Sequence, residues 1–174
     1  DHVYGLDLRN NNLSGVIPDD ISKLKFLRML LLDDVGITAT SDEIYNLPAL
    51  TMLDLDNTGI LKISPKINNL KSLVQLSLQN TREVELPSEL KGLTSLLHLN
   101  LKNIKSMEAI CDVKSLEWLS IYCEDNLCIS PNIGNISSLK QLDITDCNIV
   151  GEIPSSIGEL SNLKSLDLRF NTLE

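Results

Sequence analysis

The residues able to do chemistry are few. Asp54 and Asp56 stand two apart and could share a proton as general acid and base. With Asp33 they could also draw a hard cation such as Ca²⁺, but none of the three stands in a dedicated calcium loop. His2 and His98 are the only imidazoles, and no Ser or Cys falls in a recognisable nucleophile motif. Cys111, Cys123, Cys128 and Cys147 lie in the second half without the convergent pairs that zinc requires. They read as small core side chains, with a Cys123 to Cys128 bridge left open. Trp118, the single Trp, could join His98 and Tyr122 in stacking, which is chemistry of binding. Neither enzyme activity nor a cofactor or metal is expected. Carboxylates on an open surface have no reason for shifted pKa values.

The elements that must position these groups follow from a recurrent motif: an apolar residue, two variable residues, Leu, one variable residue, then Leu or Ile. Its copies open at Val3, Leu27, Leu50, Leu73, Leu96, Leu116, Leu139 and Leu163, at intervals of 24, 23, 23, 23, 20, 23 and 24 residues. Within the first copy, Leu6 and Leu8 alternate as in a strand, whereas Ile17, Ile21 and Leu24 recur at helical spacing. Pro18 marks the start of that turn, because its fixed φ is harmless at a first helical position. The same set returns as Ile63, Ile67, Leu70 and as Ile153, Ile157, Leu160. One such unit cannot bury enough apolar surface to offset its chain entropy, so neighbours must stack into a solenoid.

The stretch Asn11-Asn12-Leu13-Ser14-Gly15-Val16-Ile17-Pro18 resembles the plant-type leucine-rich repeat family, and Ile149-Val150-Gly151-Glu152-Ile153-Pro154 repeats the likeness. The middle copies, with Leu86-Pro87 and no Gly, look more like the 23-residue bacterial class. The resemblance implies an α/β right-handed solenoid over residues 1–174, as seven repeats and a partial eighth. A parallel sheet would line its concave face and short helical or 3-10 segments its convex face. It also implies a protein, peptide or glycan partner, at the cell surface or outside the cell, with a cytoplasmic scaffold or a self-assembling structural protein as alternatives. The edge position of Asn11 and Asn171 passes to Val35, Thr58, Thr81, Ile104, Glu124 and Cys147 in the other copies. Its side-chain to backbone bonding is therefore expected to break at Val, Ile and Glu. The fifth copy is three residues shorter than its neighbours, and a local irregularity is expected there. Paired-Cys caps are missing, so the chain reads as an excerpt of a longer one.

Strand alternation sends the variable residues of the motif away from the core, in three columns. One runs Gly5, Met29, Met52, Gln75, His98, Trp118, Gln141, Ser165. The next runs Asp7, Leu31, Asp54, Ser77, Asn100, Ser120, Asp143, Asp167, and the third Arg9, Asp33, Asp56, Gln79, Lys102, Tyr122, Thr145, Arg169. At about 4.8 Å per strand the face is roughly 34 Å long, enough for a macromolecular partner. With Asp34 and Asp146 it carries eight Asp against Arg9, Lys102 and Arg169, which favours a partner with a basic patch. Met29, Leu31 and Met52 are expected to form an exposed apolar group at one end, and His98, Trp118 and Tyr122 an aromatic one further along. Asp33, Asp54, Asp56 and Asp143 complete the candidate site. A net charge of −9 argues against nucleic acid, and no stretch is apolar enough for direct membrane insertion.

Overall fold

The computed structural model describes residues 2–39 and 41–173, without the side chain of Thr81. In chain order the strands are β1 (Gly5–Asp7), β2 (Ser14–Val16), β3 (Met29–Leu31), β4 (Gly36–Ala39), β5 (Met52–Asp54) and β6 (Gln75–Val84). They continue as β7 (His98–Ile104), β8 (Trp118–Tyr122), β9 (Gln141–Thr145), β10 (Val150–Gly151), β11 (Ser165–Asp167) and β12 (Thr172–Leu173). Eight of them form one parallel sheet in the order β1-β3-β5-β6-β7-β8-β9-β11. Each is the motif segment of one copy. Short 3-10 helices such as Asp19–Lys23, Pro65–Asn69 and Ser155–Glu159 run along the opposite side. They begin after Pro18, Pro87 and Pro154, or after Ser41 and Ser64, whose hydroxyls accept from Glu43 N and Lys66 N. One continuous aliphatic core lies between the two layers.

Glycine decides a second feature. Gly15 and Gly151 have φ of +100° and +89°, a backbone that a Cβ disfavours, although there is open space where a Cβ would stand. Each sits in a Gly-x-Ile-Pro segment and extends into a further short strand, so that β2 pairs with β4 and β10 with β12. In the middle copies, which lack that Gly, this pairing shrinks to isolated matches such as Lys62 with Glu85 and Val84 with Ile104.

The irregularity expected in the fifth copy is present, and its place is resolved. Along β6 and β7 the register runs from Gln79↔Lys102 directly to Val84↔Ile104, so the three residues missing from the short copy are lost between Lys102 and Ile104, at the end of β7. Its convex segment is α1 (Glu108–Cys111), a turn of α-helix where the others have 3-10 helix.

This slip corrects the expected edge ladder. Counting at a fixed offset from the strand leucines puts Thr81, Ile104 and Glu124 on the edge. Thr81 falls outside the described side chains. The edge bonds in these copies are made one residue earlier. Asn80 Oδ1 accepts from Thr58 N at 3.0 Å, and its Nδ2 donates to Ile60 O at 3.4 Å. Asn103 Oδ1 accepts from Glu124 N at 2.8 Å. The Cys123 sulfur accepts from the N–H groups of Asn103 and Ile104. Ile104 instead enters the core and Glu124 is exposed. Of the three breaks expected, only Val35 interrupts the run, because a local bulge lets a polar residue slide into the place that backbone groups require.

Left-handed backbone brings the chain off the sheet at Asn10, Asp34, Asn57, Asn103 and Asp146, with φ between 51° and 56°. Asn and Asp tolerate it because their short polar side chains bond locally.

Candidate functional site

The sheet register joins the residues of the first two columns as the alternation predicts. Gly5, Met29, Met52, Gln75, His98, Trp118, Gln141 and Ser165 are successive partners, and so are Asp7, Leu31, Asp54, Ser77, Asn100, Ser120, Asp143 and Asp167. In the third column Gln79, Lys102, Tyr122 and Thr145 are paired likewise. Eight of the ten candidate residues are thus paired side by side on the sheet; Asp33 and Asp56 follow the ends of β3 and β5, where Asp56 accepts from Ser77 of the next strand.

Their exposure is not uniform. Met29 and Met52 are half-buried, and Leu31 is only 6% exposed, so the expected exposed apolar group is not there. Leu31 lies outside the continuous core. It is the only apolar member of its column. The aromatic end does face solvent: Trp118 is 37% exposed and Tyr122 36%. His98 meets Trp118 edge to face with ring centroids 5.6 Å apart. Tyr122 stands beyond Ser120 and takes Lys102 over its ring at 5.2 Å. Its hydroxyl donates to the Asp146 carboxylate, which pushes the phenol pKa up.

The acidic part differs from the solvated face the sequence implied. The three basic residues of the face are already paired, Arg9 with Asp7 at 2.8 Å, Lys102 with Glu124 at 2.8 Å and Arg169 with Asp167 at 2.6 Å. Among the described residues no Lys or Arg forms an ion pair with Asp33, Asp54 or Asp56. Asp54 accepts from Asp56 N at 3.0 Å, and Asp56 accepts from Gln79 N at 2.7 Å and Ser77 Oγ at 3.0 Å. Even so, burial pushes the pKa of both above the usual carboxylate range, and the charge of Asp33 adds to it. The expectation of unshifted carboxylates was wrong for this pair, since both are partly withdrawn from water. Asp143, at the far end, accepts from Gln141 Nε2 at 2.7 Å.

A pH dependence follows from that pair. The unfolded chain holds their protons with the ordinary affinity, near pKa 3.8, and the folded chain holds them more tightly. Their contribution to stability is therefore full below pH 3.8 and is lost as the pH rises through the raised values. The double variant Asp54→Asn, Asp56→Asn is expected to match or exceed the natural chain in melting temperature at pH 7 and to lose this component of the profile. Asp7, Asp42 and Asp167, whose pKa values are lowered by Arg9, Lys66 and Arg169, act with the opposite sign. The difference between the two melting profiles from pH 3.5 to 7 isolates the buried pair, and parallel profiles would refute the assignment.

The cysteines follow the core reading in three of four cases. Cys111, Cys123 and Cys147 are buried as free thiols, whereas Cys128 is a free thiol in solvent, so the Cys123 to Cys128 bridge is absent. No group of three or more His, Cys, Asp or Glu among the described residues converges to hold a metal ion. Cavities of about 620 and 640 Å³ open away from the candidate face, the first beside Lys91, Asp112 and Lys114 and the second beside Thr38, Pro65 and Arg82. Asp54 and Asp56 line neither. Among the described residues no helix is long and apolar enough to cross a membrane.

Comparison with known proteins agrees with this architecture. Internalin C2 of Listeria monocytogenes superposes with a TM-score of 0.82 at 26% identity, over 98% of this chain and 73% of that one. The Arabidopsis receptor kinase HAESA, solved in complex with the peptide hormone IDA and the co-receptor SERK1, gives 0.71 at 27% identity, over 97% of this chain and 30% of that one. Receptor-like protein 50 of Arabidopsis thaliana is 40% identical over 57 residues, which are 32% of this chain and 6% of that protein. The chain thus spans a small fraction of the plant proteins it matches. A family model described as a leucine-rich repeat region matches residues 3–130, and one described as leucine-rich repeat matches residues 138–160. By sequence and by the eight-stranded stack alike, the chain belongs to the leucine-rich repeat family.

Proposed function

We propose that the concave face is a non-catalytic recognition surface for a protein or an extended peptide, in an extracellular or cell-surface setting. One observation carries this reading: Asp54 and Asp56 are kept half-buried and, among the described residues, without an ion-pair partner, three strands from an exposed Trp. Perturbed charges held at a cost to folding mark functional positions, since a partner's cation can neutralise them. A peptide laid across the strands would set a Lys or Arg over Asp33, Asp54 and Asp56 and an apolar or aromatic side chain on His98, Trp118 and Tyr122. Three strand intervals are about 14 Å, which four to five extended residues span. The receptor kinase among the structural neighbours, solved in complex with a peptide hormone, supports a peptide partner.

Selection from a random peptide library tests it. Binders are expected to carry a basic residue about four to five positions from an aromatic or large apolar one. Trp118→Ala should weaken them by about 30-fold or more, as for an interface hot spot, and raised salt should weaken them further. Binders that keep full affinity for Trp118→Ala would sink the proposal. Light scattering of the free chain tests the self-assembling alternative, which requires growth with concentration.

A further inference from the structure

Cys123 and Cys147 occupy consecutive places on the edge ladder. β8 and β9 run in register from Trp118↔Gln141 to Tyr122↔Thr145, so the chain segments leaving the two strands travel side by side and carry one of these thiols each. Adjacent strands lie about 4.8 Å apart, inside the range of roughly 4.4 to 6.8 Å between Cα atoms that a disulfide spans. The side chains are neighbours: each thiol is the largest influence on the other's titration, and Cys147 Sγ reaches across to β8, 3.7 Å from Ile121 O, while lying 3.3 Å from Thr145 O. Both are buried. The other two cysteines are placed differently, since Cys111 has Ser130 as its side-chain partner and Cys128 lies in solvent.

We infer that Cys123 and Cys147 are a disulfide site, closed as a staple between the sixth and seventh repeats when the chain folds in an oxidising compartment. The two S–H bonds break and one S–S bond forms. Two electrons and two protons pass to a disulfide oxidant such as oxidised glutathione, which leaves as two thiols after a mixed-disulfide step. Either thiolate can attack first, because the exchange takes place while both sulfurs are still reachable and before the folded surroundings distinguish them. Burial also sets the timing, because oxidant reaches these sulfurs only before the core closes. The bond would pin the strand that carries Trp118 and Tyr122 to its neighbour β9.

The test is oxidative refolding of the full chain. The reduced, unfolded protein is refolded in a glutathione redox buffer, its remaining thiols are alkylated, and tryptic peptides are mapped without reduction. Cys123 and Cys128 share the peptide 115–140, and Cys147 lies on 141–164, so substitutions must separate the pairs. The link between these two peptides is expected in the natural chain and in Cys128→Ser, whose site is exposed and harmless to folding. It should vanish in Cys123→Ser. Oxidised Cys128→Ser should melt about 5 to 10 °C above the same protein after reduction, the range for a bridge closing a loop of this size. Alkylation of all four thiols in the refolded chain, or a link that disappears with Cys128, would overturn the inference.

Discussion

Leu99→Ala is expected to remove about 3 to 5 kcal/mol of stability and to lower the melting temperature by roughly 10 °C. Leu99 is fully buried on β7, at the middle of the concave sheet, and pairs with Leu76 on one side and Leu119 on the other. The lost methyl groups forfeit their transfer free energy and leave a cavity that strands locked on both sides cannot close. Each repeat of a solenoid contacts only its neighbours, so damage at the centre uncouples the repeats on either side. The matching change at the end of the stack, Leu166→Ala, should cost far less, because Leu166 is already 41% exposed. Chemical denaturation of both variants checks this. Equal losses at the two sites, or a loss below about 1 kcal/mol at Leu99, would contradict a nearest-neighbour stack.

The second large effect concerns a polar residue. Asn80→Ala is expected to cost about 2 to 3 kcal/mol, although Ala fits the available space. Asn80 is fully buried, and its removal leaves Thr58 N and Ile60 O without the bonds they now make to its amide. A buried backbone group with no partner bears its whole desolvation cost. Asn80→Asp discriminates between lost volume and lost bonding, since Asp keeps the acceptor, loses the donor and brings a charge into the core. It should be at least as damaging as Ala. Asn11→Ala serves as the exposed reference, because Asn11 bonds Leu8 O and Arg9 O where water can replace it, and less than about 1 kcal/mol is expected. Thermal melts rank the three.

Much of this protein was legible beforehand because its motif is periodic. Once Leu6, Leu30, Leu53 and their counterparts are known to stack, every neighbour of a strand leucine has an assigned column, and Met29, Asp54, His98 and Trp118 fall on the concave face without further information. The Pro and Gly positions were equally readable, since their constraints act within one or two residues of backbone. Asn80, Asn103 and Cys123 were missed for the opposite reason. A fixed count from the strand leucine cannot register a bulge, and only the pairing of Val84 with Ile104 shows that three residues of β6 have no counterpart on β7. The signal was present as a polar residue one place before each expected ladder position, Asn80 before Thr81 and Asn103 before Ile104.

Spacing of apolar residues determined the architecture, the direction of each variable side chain and the length of the face, because burial of a repeating stripe admits one way of stacking. The three-dimensional arrangement alone decided which of the facing residues meet water. Leu31 is hidden and Trp118 is not; Asp54 and Asp56 are desolvated while Asp7 is neutralised by Arg9; and Cys123 meets Cys147 across repeats instead of its sequence neighbour Cys128. Periodicity specifies a direction, but solvation and thiol contact depend on what the adjacent repeats place within a few ångströms, and that is a property of the stack.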